Sequence, residues 1–152
     1  MHIHWLLKSF VDLTTDELYA LLRLRNEVFI VEQNCPFPDL DGKDQLCHHL
    51  LGFDEVGGTL LAYTRLVPAG VSYGYPSIGR VATALRARRY GKGRELMQRS
   101  IQELSRLYGP TAIQIGAQLY LRSFYESFGF VQSGEGYLED GIDHIPMIRQ
   151  PN

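Results

Sequence analysis

Cysteine is scarce in this chain, with Cys35 and Cys47 alone among 152 residues. Two cysteines make no disulfide framework and lack the spacing of zinc ligands. Both read as free thiols packed inside the protein. An excess of either charge is also missing: 15 Lys and Arg stand against 17 Asp and Glu, for a net charge of −2. That balance argues against nucleic acid or an anionic membrane as the partner. No apolar run reaches the roughly 18 residues of a membrane-crossing helix. The segment Met1-His2-Ile3-His4-Trp5 lacks the charged start and apolar core of a secretion signal, and the expected location is cytoplasmic. Repeats, low-complexity tracts and linkers are absent, so residues 1–152 read as one domain.

What the chain has is a substantial apolar fraction, 45% hydrophobic against 21% charged, enough for a packed core. Ile3 to Phe10 reads as a first strand. Thr14 or Thr15 can cap a helix with Asp16 and Glu17 in its first turn, and Leu18, Leu21, Leu22, Arg25 and Phe29 carry it to about Phe29. Val31 to Asp44 holds two prolines and an Asp-Gly pair and reads as a long loop. His48 to Phe53 and Leu60 to Val67 form a hairpin, Pro68 to Pro76 a second loop, and Ser77 to Thr83 a central strand. The basic stretch from Ala84 to Tyr90 then leads into Gly91-Lys92-Gly93, which starts a helix with Met97, Ile101, Leu104 and Tyr108 on one stripe. Gly109-Pro110 stops it. A buried strand over Thr111 to Ala117, a short helix from Leu119 to Phe128, and strands from Phe130 and over Ile142 to Arg149 complete the chain. Gly134 to Gly141 reads as a glycine-rich acidic loop. The pattern is that of a strand-rich α/β domain.

Charge is unevenly distributed along the chain. Arg80 to Arg106 carries eight basic and two acidic residues, whereas Glu27 to Glu55 carries seven acidic residues and one lysine. The basic run coincides with a glycine-led helix start. Unpaired N–H groups and the positive end of the helix dipole suit a phosphate there. Gly91 and Gly93 let the backbone approach a ligand closely. The spacing is neither the dinucleotide fingerprint nor a Walker motif, because G-x-G-x-x-G and a terminal Gly-Lys-Ser/Thr are both missing.

Arg88-x-x-Gly91-x-Gly93 does resemble the acetyl-CoA-binding motif of the GNAT N-acetyltransferase superfamily. Further blocks resemble its ElaA subfamily in order and spacing: Leu24-Arg25-x-x-Val28-Phe29, Asp41-Gly42-x-Asp44, Ile78-Gly79-Arg80-Val81, Ala117-Gln118, Phe124-Tyr125-Glu126-x-Phe128-Gly129-Phe130 and Glu139-Asp140-Gly141-Ile142-x-His144. The resemblance implies an α+β fold with a mixed, mainly antiparallel sheet that splays beside the central strand and is flanked by helices. It implies acetyl-CoA as co-substrate and no metal. Pantetheine would enter the splay and pair with the backbone of Val81, Ala82 and Thr83. The pyrophosphate would rest on the N–H groups of Arg89, Tyr90, Gly91, Lys92, Gly93 and Arg94, with the Arg88 and Arg94 side chains as additional contacts.

Tyr125 matches the tyrosine that, in many such enzymes, protonates the departing thiolate; an ordinary phenol with pKa about 10 is a plausible donor. Taken alone, it would read as a packing residue of an aromatic cluster. Transfer to an amine also needs a base, and Glu32, His48, His49, Asp140 and His144 are the candidates. Adjacent strand histidines point to opposite faces, which disfavours a metal at His48-His49. Arg25, Arg65 and Arg80 sit among apolar residues and are expected to pair with the acidic loops.

The expected activity is therefore acetyl transfer from acetyl-CoA to a primary amine by direct attack in a ternary complex. The acceptor would be a small molecule or peptide amine, cationic in view of the acidic loops, and the protein a monomer or homodimer. A catalytically silent CoA-binding or sensing module is the alternative. A protein binding another polyphosphate is a third reading, disfavoured by the missing lysine-hydroxyl pair.

Overall fold

The computed structural model spans residues 1–152. Its elements in order are β1 (Ile3–Ser9), α1 (Thr15–Arg25), β2 (His48–Asp54), β3 (Leu60–Val67), β4 (Ser77–Thr83), α2 (Lys92–Tyr108), β5 (Ile113–Gln118), α3 (Arg122–Glu126), β6 (Phe130–Gln132), β7 (Tyr137–Glu139) and β8 (Ile142–Arg149). Two ladders form, one ordered β1-β2-β3-β4 and the other β5-β8-β6, with β7 also pairing with β8. Every pairing within them is antiparallel.

The ladders meet at β4 and β5. Just ahead of β4, Pro76 O accepts a hydrogen bond from Gln114 N–H near the start of β5, at 3.0 Å. Both strands therefore begin side by side. No ladder register continues between them, so they part and leave a cleft.

The core explains this arrangement. β3 is buried along its whole length, as a central strand covered on both faces must be. On one face, Leu21, Leu24 and Val28 pack with Leu51, Tyr63 and Ala82. On the other, Met97 and Leu104 of α2 pack with Leu66, Ile78, Ile113 and Phe130. Met97 and Leu104 are fully buried, each stabilising the fold by about 1.5–3 kcal/mol. The α2 stripe expected from spacing is thus the one buried, with Ile101 and Tyr108 at its margin.

The two long helices begin differently. α1 starts with a capping box: Thr14 Oγ1 accepts from Glu17 N–H, and the Glu17 carboxylate accepts from Thr14 N–H. α2 starts at Gly91, whose φ of 67° is left-handed, and no side chain caps it.

Four local expectations change. The first helix does not end near Phe29; it runs on as a π-helical turn over Asn26–Glu32, a wide turn often found at functional sites. The basic stretch from Ala84 to Tyr90, expected as a loop between strand and helix, forms a 3-10 turn over Leu85–Tyr90 with Ala87 buried. The expected helix over Leu119 to Phe128 divides into a 3-10 turn, Leu119–Leu121, and the five residues of α3. Gly134 to Gly141 is not all loop, because Tyr137–Glu139 forms β7. Asp140 and Gly141, with φ of 51° and 76°, make a two-residue turn of the primed kind that suits hairpin twist.

Candidate active site

The cleft between β4 and β5 encloses a cavity of about 480 Å³, within the size range of small-molecule sites. Its walls are Val81 and Thr83 from β4, Gly116 and Gln118 from β5, and Tyr125 from α3. The β7–β8 hairpin and the segment following α1 close the far side.

β4 is irregular where it borders the cavity. Tyr63 pairs with Ala82 and Arg65 with Gly79, so Arg80 and Val81 together stand opposite Thr64 as a β-bulge. Arg80 has a φ of 51°, a left-handed conformation that a side chain bearing Cβ seldom adopts. A bulge interrupts the β3–β4 ladder and re-aims the strand, and no strand register joins the other edge of β4 to β5.

Arg80 is tied to the acidic loop. Its Nη2 donates to Asp39 O at 2.8 Å and to Asp41 Oδ2 at 3.3 Å. Its Nε lies 2.8 Å from Asp39 Oδ1, an ionic contact whose N–H is not aligned for a hydrogen bond. Arg25, fully buried, pairs with Asp39 at 2.8 Å and Asp44 at 2.7 Å. Arg65 pairs with Asp41 at 2.8 Å and Asp44 at 3.0 Å. Burial by itself would raise the Asp41 and Asp44 carboxyls; a hydrogen bond from Arg65 holds Asp41 well below the usual range, and one from Arg25 lowers Asp44. Three arginines and three aspartates thus cancel, and the loop over 39–44 presents little free negative charge.

The residues expected to hold a cofactor divide into two groups. Val81, Thr83, Arg88 and Gly93 line the cavity. Ala82 points the opposite way, into the core under α1, as strand alternation requires. Arg89, Tyr90, Gly91, Lys92 and Arg94 do not line the cavity; they surround the uncapped start of α2. Lys92 Nζ is held by Glu95 at 2.9 Å. Arg94 donates to Ser127 Oγ at 2.9 Å and lies over the Phe128 ring at 4.6 Å. Arg88 makes a two-pronged pair with Glu32, at 2.7 and 2.8 Å, and donates to Thr83 O at 3.0 Å.

Tyr125, Glu32, Asp140 and His144 all line the cavity. Tyr125 packs edge-on against Phe124 and Phe130, so it serves both the aromatic core and the cavity wall. Burial pushes its phenol well above the ordinary value, in contrast to the unperturbed phenol expected from sequence. His144, opposite Gln118 on one side and Tyr137 on the other, is stacked on the Tyr137 ring. Its Nδ1 lies 2.7 Å from Ile142 O. A carbonyl only accepts, so Nδ1 carries a hydrogen. Nε2 lies 3.4 Å from Glu139 Oε2.

His49, by contrast, is outside the cavity. It is fully buried between Tyr63 Oη at 2.6 Å and Asp44 O at 2.9 Å, and burial lowers its pKa. Both cysteines are free and buried. Burial raises the Cys47 thiol to about 11, while Cys35 Sγ donates to Asp140 O at 3.4 Å.

Of the strap over residues 32–35, sequence pattern points to Glu32 as a candidate base; the ties that hold the strap across the cleft are set by the fold. Glu32 reaches Arg88, Gln33 pairs amide to amide with Gln118 at 3.4 Å, and Cys35 reaches the hairpin turn. Glu139 was also not singled out as a partner of His144. Asp140-Gly141 was the available signal, since that dipeptide marks a hairpin and pairs Glu139 with Ile142.

The family model described as an acetyltransferase (GNAT) domain matches residues 54–150. The protein ElaA of Escherichia coli is 38% identical over 150 residues, 97% of each chain, and a UPF0039 protein of Synechocystis sp. is 40% identical over 148 residues, 97% of this chain and 96% of the other. The crystal structure of an acyl-CoA N-acyltransferase from Pseudomonas aeruginosa superposes with a TM-score of 0.91 at 45% identity, covering 97% of this chain and 99% of that one.

Proposed function

The chain belongs to the GNAT acetyltransferase family, whose members carry out acyl-CoA-dependent acyl transfer to amines, and from that premise we propose that it moves an acetyl group from acetyl-CoA to a primary amine. Residues 1–152 act in this reading as one catalytic domain. The observation that carries it is the cleft between β4 and β5, which leads from the uncapped start of α2 to Tyr125.

The cofactor fits that cleft in three respects. The first N–H groups of α2 have no side-chain acceptor and can receive pyrophosphate oxygens. Arg89 and the surrounding basic turn add positive charge. The edge of β4 at Val81 and Thr83 borders the cleft with no strand register to β5 and can pair with an extended pantetheine as a strand would once Arg88 leaves Thr83 O.

Attack on the thioester forms a tetrahedral centre, and its negative oxygen is stabilised by the backbone N–H near Val81. His144 takes the amine proton at Nε2, directly or through water, because Nδ1 is already committed to Ile142 O. Glu32 is disfavoured as the base while Arg88 holds both of its oxygens, and Asp140 lies at the rim, in the turn. Tyr125, kept protonated by burial, returns a proton to the leaving thiolate.

The acceptor is a cationic amine, small enough to enter the cavity or presented on a peptide. With Asp39, Asp41 and Asp44 neutralised by arginines, its charge is met by Glu139 and Asp140, neither of which pairs with a lysine or arginine. The test is release of free CoA thiol from acetyl-CoA across a panel of amines. Thiol release that depends on the amine supports the reading. CoA binding without release on any amine points to the sensing module, and no CoA binding overturns the cofactor assignment.

A further inference from the structure

Arg88, expected at the cofactor phosphate, and Glu32, a candidate base, occupy each other. The pair is bidentate, at 2.7 and 2.8 Å. Arg88 also donates to Thr83 O, a backbone acceptor on the wall that pantetheine would use. One arginine therefore occupies both the Glu32 carboxylate and a backbone acceptor on the cofactor's path. The contact sits in water, with the Arg88 and Glu32 side chains 34% and 45% exposed, so solvent screens it and little is lost when it opens. A pyrophosphate presents more charge and a geometry that the guanidinium fork matches equally well.

We propose that Arg88 is a shared residue: it masks Glu32 and Thr83 O in the free protein, and cofactor pyrophosphate draws it away, opening the Glu32 carboxylate to the cation of the incoming acceptor. The inference rests on the pyrophosphate lying at the start of α2. Its consequence is that one ion pair links the two sites without a large movement. Binding of cofactor and acceptor is then coupled, and coupling is reciprocal. Gln33 and Cys35, one and three residues beyond Glu32, hold the rest of the strap to Gln118 and to Asp140 O. The strap therefore stays in place while the carboxylate is freed.

Calorimetry on the full chain tests this with CoA, pantetheine and 1,4-diaminobutane as probes. Glu32→Gln is expected to bind CoA about five-fold more tightly than wild type, within the usual range of such couplings, and to bind pantetheine unchanged. Wild type loaded with CoA is expected to bind the diamine more tightly than the free protein, a difference that Glu32→Gln abolishes. Unchanged or weaker CoA binding by Glu32→Gln overturns the proposal, as does a loaded protein that binds the diamine no better than the free one. A structure with CoA gives the independent readout: Arg88 within hydrogen-bond distance of a phosphate oxygen supports it, and Arg88 still on Glu32 overturns it. Failure of wild type to bind CoA at all, or CoA seated away from α2, would instead remove the premise.

Discussion

Arg80 is held in a left-handed backbone conformation, with φ 51°, while its guanidinium lies 2.8 Å from the carboxylate of Asp39. The irregular step of β4 is thus fastened to a loop some forty residues earlier in the chain. Asp39 is at the same time a partner of the fully buried Arg25. The strand that borders the cleft and the loop that closes it therefore share one ion network.

Removing one member of that network leaves buried charge without a partner. Asp44→Ala strips Arg25 Nη1 and Arg65 Nη1 of a common acceptor. The expected loss is about 3–5 kcal/mol of stability, read as a drop in the urea midpoint with an unchanged slope. A loss below about 1 kcal/mol would mean that the network contributes little.

Tyr125→Phe keeps the aromatic packing against Phe124 and Phe130 and removes only the hydroxyl. Turnover is expected to fall about 100-fold, the lower end for a general acid, while CoA affinity and Tm stay close to wild type. Unchanged turnover on an accepted amine would leave Tyr125 as a packing residue.

His144→Gln removes the ring nitrogen assigned as base but keeps a polar side chain on β8. We expect kcat to fall about 100-fold, with CoA binding retained in calorimetry. Full activity in this variant would return the base role to Glu32 or Asp140.

Acid sensitivity follows from the network. The Asp41 and Asp44 carboxyls are held below their ordinary values when folded, so they bind protons more weakly in the native state than in the unfolded chain. Their contribution is complete above the ordinary carboxylate pKa of about 3.9 and is lost as the pH falls through the folded values below it. Urea midpoints should be insensitive to these groups at pH 6–7 and fall steeply below about pH 4. Asp41→Asn should flatten part of that fall; an unaltered acid limb would place its origin elsewhere.

The cysteines should separate chemically. Cys47 is 2% exposed with its thiol raised to about 11, which leaves about one thiol in a thousand ionised at pH 8. Iodoacetamide should leave it unlabelled in the native protein. Cys35 lines the cavity, and mass spectrometry should find it labelled first and protected by CoA. Rapid labelling of Cys47 would contradict its burial.

Much of the architecture could be read from local pattern. β3, β4 and β8 lie where apolar runs and turn signals put them, and the α2 stripe is buried as its spacing requires. β7 escaped because three residues give too short a period to recognise, and it is fixed by pairing with β8. The π-helical turn escaped because its residues, Asn26–Glu32, continue a helical pattern whose pitch depends on tertiary contacts.

By itself, then, the sequence determined the order of the strands, the glycine-led start of α2 and the place of Tyr125 in the chain, since each rests on neighbours a few residues apart. Only the tertiary structure decided which charge meets which. Seven acidic residues in the segment over 27–55 look like a surface for cations. Arg25, Arg65 and Arg80 pair with that loop as their apolar settings predict, but only folding singles out Asp39, Asp41 and Asp44 as their partners and brings Glu32 against Arg88. Electrostatic energy depends on distance and burial rather than on position in the chain, and those distances exist only once β4 has bulged beside the loop and the strap has crossed the cleft.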